Sequence, residues 1–258
     1  MITLRGIDEL RRMDRACAIV HEAIDAVSRA ITPGVLTEEL DRIAEETIRG
    51  AGAKPAFIGY RGYPKTLCVS VNDEVVHGIP GKRKLAAGDI VGIDCGAVVD
   101  GYFGDAARSF AVGKVKPEVS KLLKDTQEAL ARGIDAARPG RRVSDIGAAV
   151  EEFAAPRGYG IVREFVGHGV GTALHEEPQV PNYGPGGRGP ILKEGMVIAI
   201  EPMLNLGTSR VSIQRDGWTV KTQDGKWSAH FEDTIAIGRE GPVVLGMGAL
   251  ERAWAVPA

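Results

Sequence analysis

Apolar residues recur at steps of three and four near the start of the chain: Ile7, Leu10, Met13, Cys17, Val20, Ile24 and Val27. This spacing predicts an amphipathic helix over residues 8 to 31. A Pro33-Gly34 turn follows, and Thr37 stands before Glu38 and Glu39 as an N-cap residue would. Leu40, Ile43 and Ile48 line one side of a second helix, which Gly50 and Gly52 can end. The pattern then changes. Runs rich in Val and Ile, punctuated by glycine, predict strands at Thr66–Val71, Asp89–Val99 and Ala106–Val112. Helical spacing returns from Pro117, a good first-turn residue, to about Ala137, and again from Ser144 to about Ala155. Strand signals resume at Ile161–Val166, Met196–Ile200, Val211–Ile213, Trp218–Val220 and Phe231–Ile237.

Two helices followed by strands thus occur twice. Pro33-Gly34 is echoed by Pro139-Gly140 at an offset of 106, which carries Leu40 onto Ile146, Ala44 onto Val150 and Gly52 onto Gly158. After a two-residue shift, Phe57-Ile58-Gly59 matches Phe165-Val166-Gly167. The alternative is coincidence, because Pro-Gly turns before helices are common. A true duplication predicts two αβ halves with a shared site at their seam. No linker tract separates them, and Gly184 to Pro190 is short enough to be a surface loop. Residues 1–258 are therefore expected to form a single domain, with halves at about 5–112 and 113–238.

Composition narrows the class. The chain has 258 residues, 44% hydrophobic and 26% charged, enough to bury a sizeable core without disulfide staples. A net charge of −2 and a pI near 6.2 argue against a protein that coats nucleic acid. The Arg138-Pro-Gly-Arg-Arg142 patch reads as a solvated turn. Cys17, Cys68 and Cys95 form no CxxC pair, so neither a disulfide framework nor a cysteine zinc site is expected. The first residues show no apolar core of signal length, and Met196–Ile200 is far shorter than the ~20 residues that span a bilayer. These features predict a cytoplasmic globular protein.

The chain contains no GxxxxGK[ST], GxSxG or HExxH motif. Gly167-His-Gly-Val-Gly171 has spaced glycines around a histidine, a poor cradle for a dinucleotide phosphate. The positive signal is acids where acids are costly. Asp94 lies in the apolar run from Asp89, and Asp105 follows 11 residues later across a Val99-Asp100-Gly101 turn, so a hairpin would bring the two together. Glu201 directly follows Met196–Ile200, and Glu232 precedes Thr234-Ile-Ala-Ile237. Unpaired carboxylates in such places cost several kcal/mol or shift their pKa and neutralise. Divalent cations resolve that, and His168 between glycines adds an imidazole. This oxygen-rich set suits Mn²⁺ or Fe²⁺, with zinc or cobalt as substitutes, and one ion cannot serve all five groups as well as two can. Asp100, Asp233 and His230 are read as ordinary structural neighbours of these motifs.

Val76-His-Gly-Ile-Pro80, Gly92-Ile-Asp-Cys-Gly96, Gly101-Tyr-Phe-Gly-Asp105, Gly167-His-Gly-Val-Gly171, His175-Glu-Glu-Pro178, Ile200-Glu-Pro202 and Ser228-Ala-His-Phe-Glu232 resemble the type I methionine aminopeptidases, in family order from about residue 5 to 238. His168 and Glu201 stand 33 positions apart, which leaves no room for the helical insert of the type II enzymes. Proline-specific peptidases of the same fold share the five ligands but usually carry a large extra N-terminal domain.

The resemblance implies an α+β pita-bread fold: two pseudo-symmetric αβ halves around a curved antiparallel sheet covered by helices on one face. It implies two divalent ions, Asp94 binding one alone, Asp105 and Glu232 bridging both, and His168 and Glu201 completing the ligand set of the second ion. His77 would contact the scissile amide nitrogen and His175 polarise the carbonyl. Glu201 would act as the general base. Tyr60, Tyr63, Cys68 and Trp218 would form the methionine pocket, with Phe57 and Leu174 nearby. Phe57, Leu174 and Asp233 depart from residues common in the bacterial enzymes. The implied activity is removal of N-terminal methionine from nascent chains and peptides whose second residue is small. The implied protein is a cytoplasmic monomer that touches ribosomes transiently and binds neither membrane nor nucleic acid stably. The alternatives are a proline-specific peptidase and a pita-bread protein that binds a partner without catalysis.

Overall fold

The computed structural model describes residues 1–254. In chain order, α1 (Ile7–Ala30) and α2 (Thr37–Gly50) lead into β1 (Lys54–Pro55), β2 (Leu67–Val71), β3 (Glu74–Val76), β4 (Ile90–Val99) and β5 (Tyr102–Ala111). Then come α3 (Pro117–Ala136), α4 (Val143–Ala154), β6 (Gly160–Ile161), β7 (Gly167–Gly169), β8 (Glu176–Val180) and β9 (Val197–Ile200). The remainder is β10 (Met203–Asn205), β11 (Val211–Ile213), β12 (Val220–Thr222), β13 (Ser228–His230), β14 (Glu232–Ile237), β15 (Pro242–Val244) and α5 (Leu250–Trp254). The main sheet runs β1-β4-β5-β14-β9-β7-β8, with β2 paired to β4 and β15 to β14, and its pairings are antiparallel. Two small sheets, β13-β10-β6 and β11-β12-β3, flank it.

Each helix pair has its own core. Ile24, Val27, Leu40 and Ile48 of α1 and α2 pack on Leu67, Val69, Ile93 and Cys95. Leu122, Leu130, Ile146 and Val150 of α3 and α4 pack on Ile198, Ile200, Ile235 and Ile237. A third cluster joins Leu10, Met13 and Cys17 to Val197, Ala199 and Ala236, and Leu245, Leu250 and Trp254 close over it. The apolar tail thus packs back on the body as far as Trp254, while residues 255–258 lie outside the described chain.

The two Pro-Gly turns make matching contacts. Gly34 N–H donates to Leu85 O and Leu85 N–H to Val35 O, as Gly140 N–H donates to Leu192 O and Leu192 N–H to Arg141 O. Isolated bridges pair Leu36 with Lys84 and Arg142 with Ile191. Asp94 on β4 and Glu201 after β9 stand at corresponding places in this repeat, 107 positions apart.

The structure departs from the sequence pattern in several places. Thr37 is the first residue of α2 rather than its cap: its hydroxyl accepts from Gly81 N–H and donates to Gly81 O, tying the helix to the loop before β4. The run Ile161–Val166 is strand only at Ile161, because the chain there crosses from a small sheet to the main one and Glu164 to Val166 bend into a cavity. Trp218 and Thr219 lie outside β12. The Asp216 carboxylate accepts both of their N–H groups and holds them in a turn. The short strands β3, β8, β10, β13 and β15 carry too little pattern to be read from sequence.

Candidate metal centre and pocket

Register brings the acids together. Asp94 is paired with Ala107, Ala107 with Glu232, and one step past the Asp233–Ile200 pair Glu232 meets Glu201. Opposite residues in an antiparallel ladder share a face, so these acids form a row across four strands. Asp105, two residues from Ala107, joins the same face. The hairpin turn makes the pairing possible: Asp100 (φ 49°) and Gly101 (φ 81°) are both left-handed, as a tight two-residue turn requires.

His168 comes from the other side, on β7. Ligand atoms of Asp105, His168 and Glu232 lie within 4.8 Å of one another. His168 Nε2 is 3.6 Å from Glu201 Oε1 and 3.9 Å from Asp105 Oδ2. Its Nδ1–H donates to Gly169 O at 2.9 Å, which fixes the tautomer that turns a lone pair toward the carboxylates. The glycines beside it are required by packing against the neighbouring strands. A Cβ on Gly167 would lie 2.3 Å from Ala199 O, and one on Gly169 would lie 2.2 Å from Glu177 O. They let β7 slot between β8 and β9.

Charge is concentrated here without enough partners. Asp94 Oδ1, Asp105 Oδ1 and Glu232 Oε1 are buried with no hydrogen-bond partner. Burial pushes Asp94 up to about 7 and Asp105, Glu201 and Glu232 well above the usual carboxylate range, with their mutual repulsion adding to the effect on the last three. Burial also lowers His168 to about 3 and His77 to about 4, so both imidazoles are neutral at pH 7. Orphaned carboxylate oxygens facing neutral nitrogen are the donor set of a divalent-cation site, and the residues present fit such ions.

A cavity of about 380 Å³ opens beside the acids. Phe57, Tyr63, Cys68 and Leu174 form one buried cluster, with Tyr60 and Trp218 packed on it. All six expected pocket residues therefore converge. Gly96 makes room, since a Cβ there would meet Phe57 at 2.7 Å. Tyr63 donates its hydroxyl to Leu67 O and Gly78 O, and its ring meets Trp218 edge-on at 5.0 Å. His77, at φ 59°, sets its ring edge-on to Phe165 at 5.4 Å. His175 stands exposed at the mouth, its Nδ1 2.9 Å from the Tyr60 hydroxyl and its ring 4.1 Å from that of His168. Shielding of the imidazole ring between Tyr60 and His168, with help from the Arg61 guanidinium, lowers its proton affinity.

Three further participants carry little signal in the sequence. Phe165, a match in the internal repeat, forms the wall behind His77. Glu176 holds the loop that carries Leu174 and His175: it accepts from Thr172 N–H, Ala173 N–H and both reaches of Arg5 Nη2. His230, expected to be an ordinary structural neighbour, is buried with its Nε2 3.9 Å from both Glu201 Oε2 and Glu232 Oε2. The i, i+2 spacing of His230 and Glu232 in an extended segment was the available signal. Asp233 is structural, paired with Arg108 at 2.7 Å, and Asp100 serves the turn.

Residues 11–239 match the profile of metallopeptidase family M24. The chain is 48% identical to a methionine aminopeptidase of Clostridium acetobutylicum over 95% of this chain and 98% of that one. A crystal structure of methionine aminopeptidase from Rickettsia prowazekii matches with a TM-score of 0.94 at 37% identity, covering 96% of this chain and 100% of that one. Prolidase from Pyrococcus furiosus matches less closely, at a TM-score of 0.77 and 27% identity, covering 94% of this chain and 65% of that one. The architecture is the α+β pita-bread fold expected from the motifs. Sequence match, fold and the convergence of four acids with a histidine agree that this chain belongs to metallopeptidase family M24.

Proposed function

We propose that this protein is a methionyl aminopeptidase that removes N-terminal methionine when the second residue is small. The observation that carries the reading is an apolar, aromatic and sulfur-lined pocket opening directly onto the buried acids. Such a lining suits a flexible thioether, at about 0.3–1.5 kcal/mol per aromatic contact. We further take residues 1–258 as one catalytic unit of two half-repeats.

In this reading Asp94, Asp105, His168, Glu201 and Glu232 hold two divalent ions, drawn from Mn, Fe, Co or Zn. When bound, such ions supply Lewis acidity, polarise a carbonyl and acidify water towards neutrality. Asp105 is steadied from behind: Thr234 Oγ1 donates to Asp105 O and accepts its N–H. Glu201 accepts the proton of the attacking water and delivers it toward the leaving amine, the general acid-base role. His175, neutral and oriented by the Tyr60 hydroxyl, donates to the oxyanion as it develops. His77, held between Phe165 and Trp218, faces the scissile amide nitrogen. The substrates are N-terminal methionyl peptides and nascent chains, with transient ribosome contact, in the cytoplasm and as a monomer. Among the described residues no helix is long and apolar enough to cross a membrane.

The test is methionine release from Met-Ala-Ser, Met-Leu-Ser and Ala-Pro-Ser by metal-stripped protein, with Mn²⁺, Fe²⁺ or Co²⁺ restored anaerobically. Metal-dependent cleavage of Met-Ala-Ser alone is expected. Cleavage only before proline moves the function to the proline-specific branch, and no cleavage by folded, metal-loaded protein leaves a binding role.

A further inference from the structure

His230 lies at the end of β13, two residues before Glu232, with its side chain 5% exposed. Its Nε2 is buried and has no hydrogen-bond partner. A buried polar atom without a partner demands a reason. His21, His168 and His175 each have one, respectively Leu245 O, Gly169 O and the Tyr60 hydroxyl. The placement of this nitrogen matches that of His168. Each imidazole faces a different oxygen of Glu201, His168 at 3.6 Å from Oε1 and His230 at 3.9 Å from Oε2. Each also stands 3.9 Å from a second carboxylate, His168 from Asp105 and His230 from Glu232. Those gaps are too long for N–H···O hydrogen bonds. They suit atoms facing a common ion, because two ligand bonds of ~2.1 Å subtending a wide angle separate their ends by nearly 4 Å.

The backbone is braced to hold this aim. Ser109 Oγ donates to His230 O and accepts His230 N–H, fixing the residue against β5. Met203 pairs with His230 across β10 and β13. The ring is therefore presented by two neighbouring strands rather than by a mobile loop.

We infer that His230 Nε2 is a sixth protein ligand of the metal centre, giving it two imidazoles instead of one. The inference rests on the proposed two-ion site. A second nitrogen shifts the donor set away from the hardest ions and toward cobalt, iron and zinc.

Cobalt-edge X-ray absorption on the full chain loaded with two equivalents of Co²⁺ tests this, since outer-shell scattering counts imidazoles. One imidazole per cobalt is expected in the unaltered protein and half of one in His230→Gln. Calorimetric titration of Co²⁺ should show at least one ion bound about tenfold or more weakly by the variant, the scale on which ligand-sphere changes act. Half an imidazole per cobalt in the unaltered protein overturns the inference and leaves the five-residue site standing; this is also the outcome if Nε2–H only donates a hydrogen bond to Glu201. Failure of the unaltered protein to bind two equivalents overturns the two-ion reading and this inference with it. The count in the unaltered protein decides the matter even if the variant does not fold.

Discussion

Two clusters of ionisable side chains lie within one loop of each other and solve burial in opposite ways. Arg5 and Glu176 meet at 2.7 Å with side chains 6% and 18% exposed, and Glu176 takes further N–H donors from Thr172 and Ala173. The pair is satisfied from within the chain. Packing is so close that a Cβ on Gly171 would lie 2.0 Å from Arg5 Nη2. At the metal centre four carboxylates converge, and three of their buried oxygens have no donor. Both clusters carry charge out of water, yet one is a structural ion pair and the other a site that demands a cation. The discriminating quantity is the count of unmet acceptors rather than depth or charge.

The comparison breaks most sharply under metal removal. Chelation should abolish turnover while the Arg5–Glu176 clasp keeps the loop in place; full activity after stripping would remove the basis for the assignment. Asp105→Asn should cost about 10³-fold in kcat/KM with the several kcal/mol an ion contributes, read by steady-state release of methionine. Replacing the proposed base, Glu201→Gln, should lower kcat by roughly 10²- to 10⁴-fold, and near-normal turnover would refute its role. His175→Ala should cost about 10²-fold, mainly in kcat, as loss of one oxyanion donor does. On the other side of the comparison, Arg5→Ala leaves Glu176 buried without its main partner and should destabilise the fold by ~3 kcal/mol. Urea denaturation reads this, and an unchanged midpoint would mean that the clasp is solvent-screened.

The smallest effect separates the two clusters by pH. Burial raises Asp94 to about 7 in the folded protein, whereas an unfolded chain releases that proton near 4. Folding of the metal-free protein therefore takes up a proton, and the resulting stability, full below about pH 4, is lost as pH rises through 7. Metal-free Tm should fall by a few degrees between pH 5 and 8. With saturating Mn²⁺ the trend should reverse, because protons compete for the same oxygens. Parallel curves with and without the ion would contradict a cation held by these acids.

Legibility from sequence followed the length scale of each signal. The long helices and the β4–β5 hairpin were visible because 3.6- and 2-residue periods repeat over many residues and a turn signal sits between the strands. Asp94, Asp105, Glu201 and Glu232 stood out because acids interrupt apolar runs. Strands of three residues such as β3, β7 and β13 leave no period to read, and Thr37 has the pattern of a cap because its tie to Gly81 is made across sequence. His230 carries no local signal for the same reason: its two facing carboxylates come from different segments, one of them 29 positions away.

Local sequence sets which side chains carry charge into the interior, the alternation of helix pairs with strands, and the motif order that marks the family. Those are local properties, set by periodicity and by the cost of an acid among apolar neighbours. Tertiary structure alone decided which oxygens remain without donors, that Glu176 is satisfied while Glu232 is not, and that His230 faces the centre. Hydrogen-bond satisfaction is a sum over groups from distant strands, and only the assembled sheet fixes its terms.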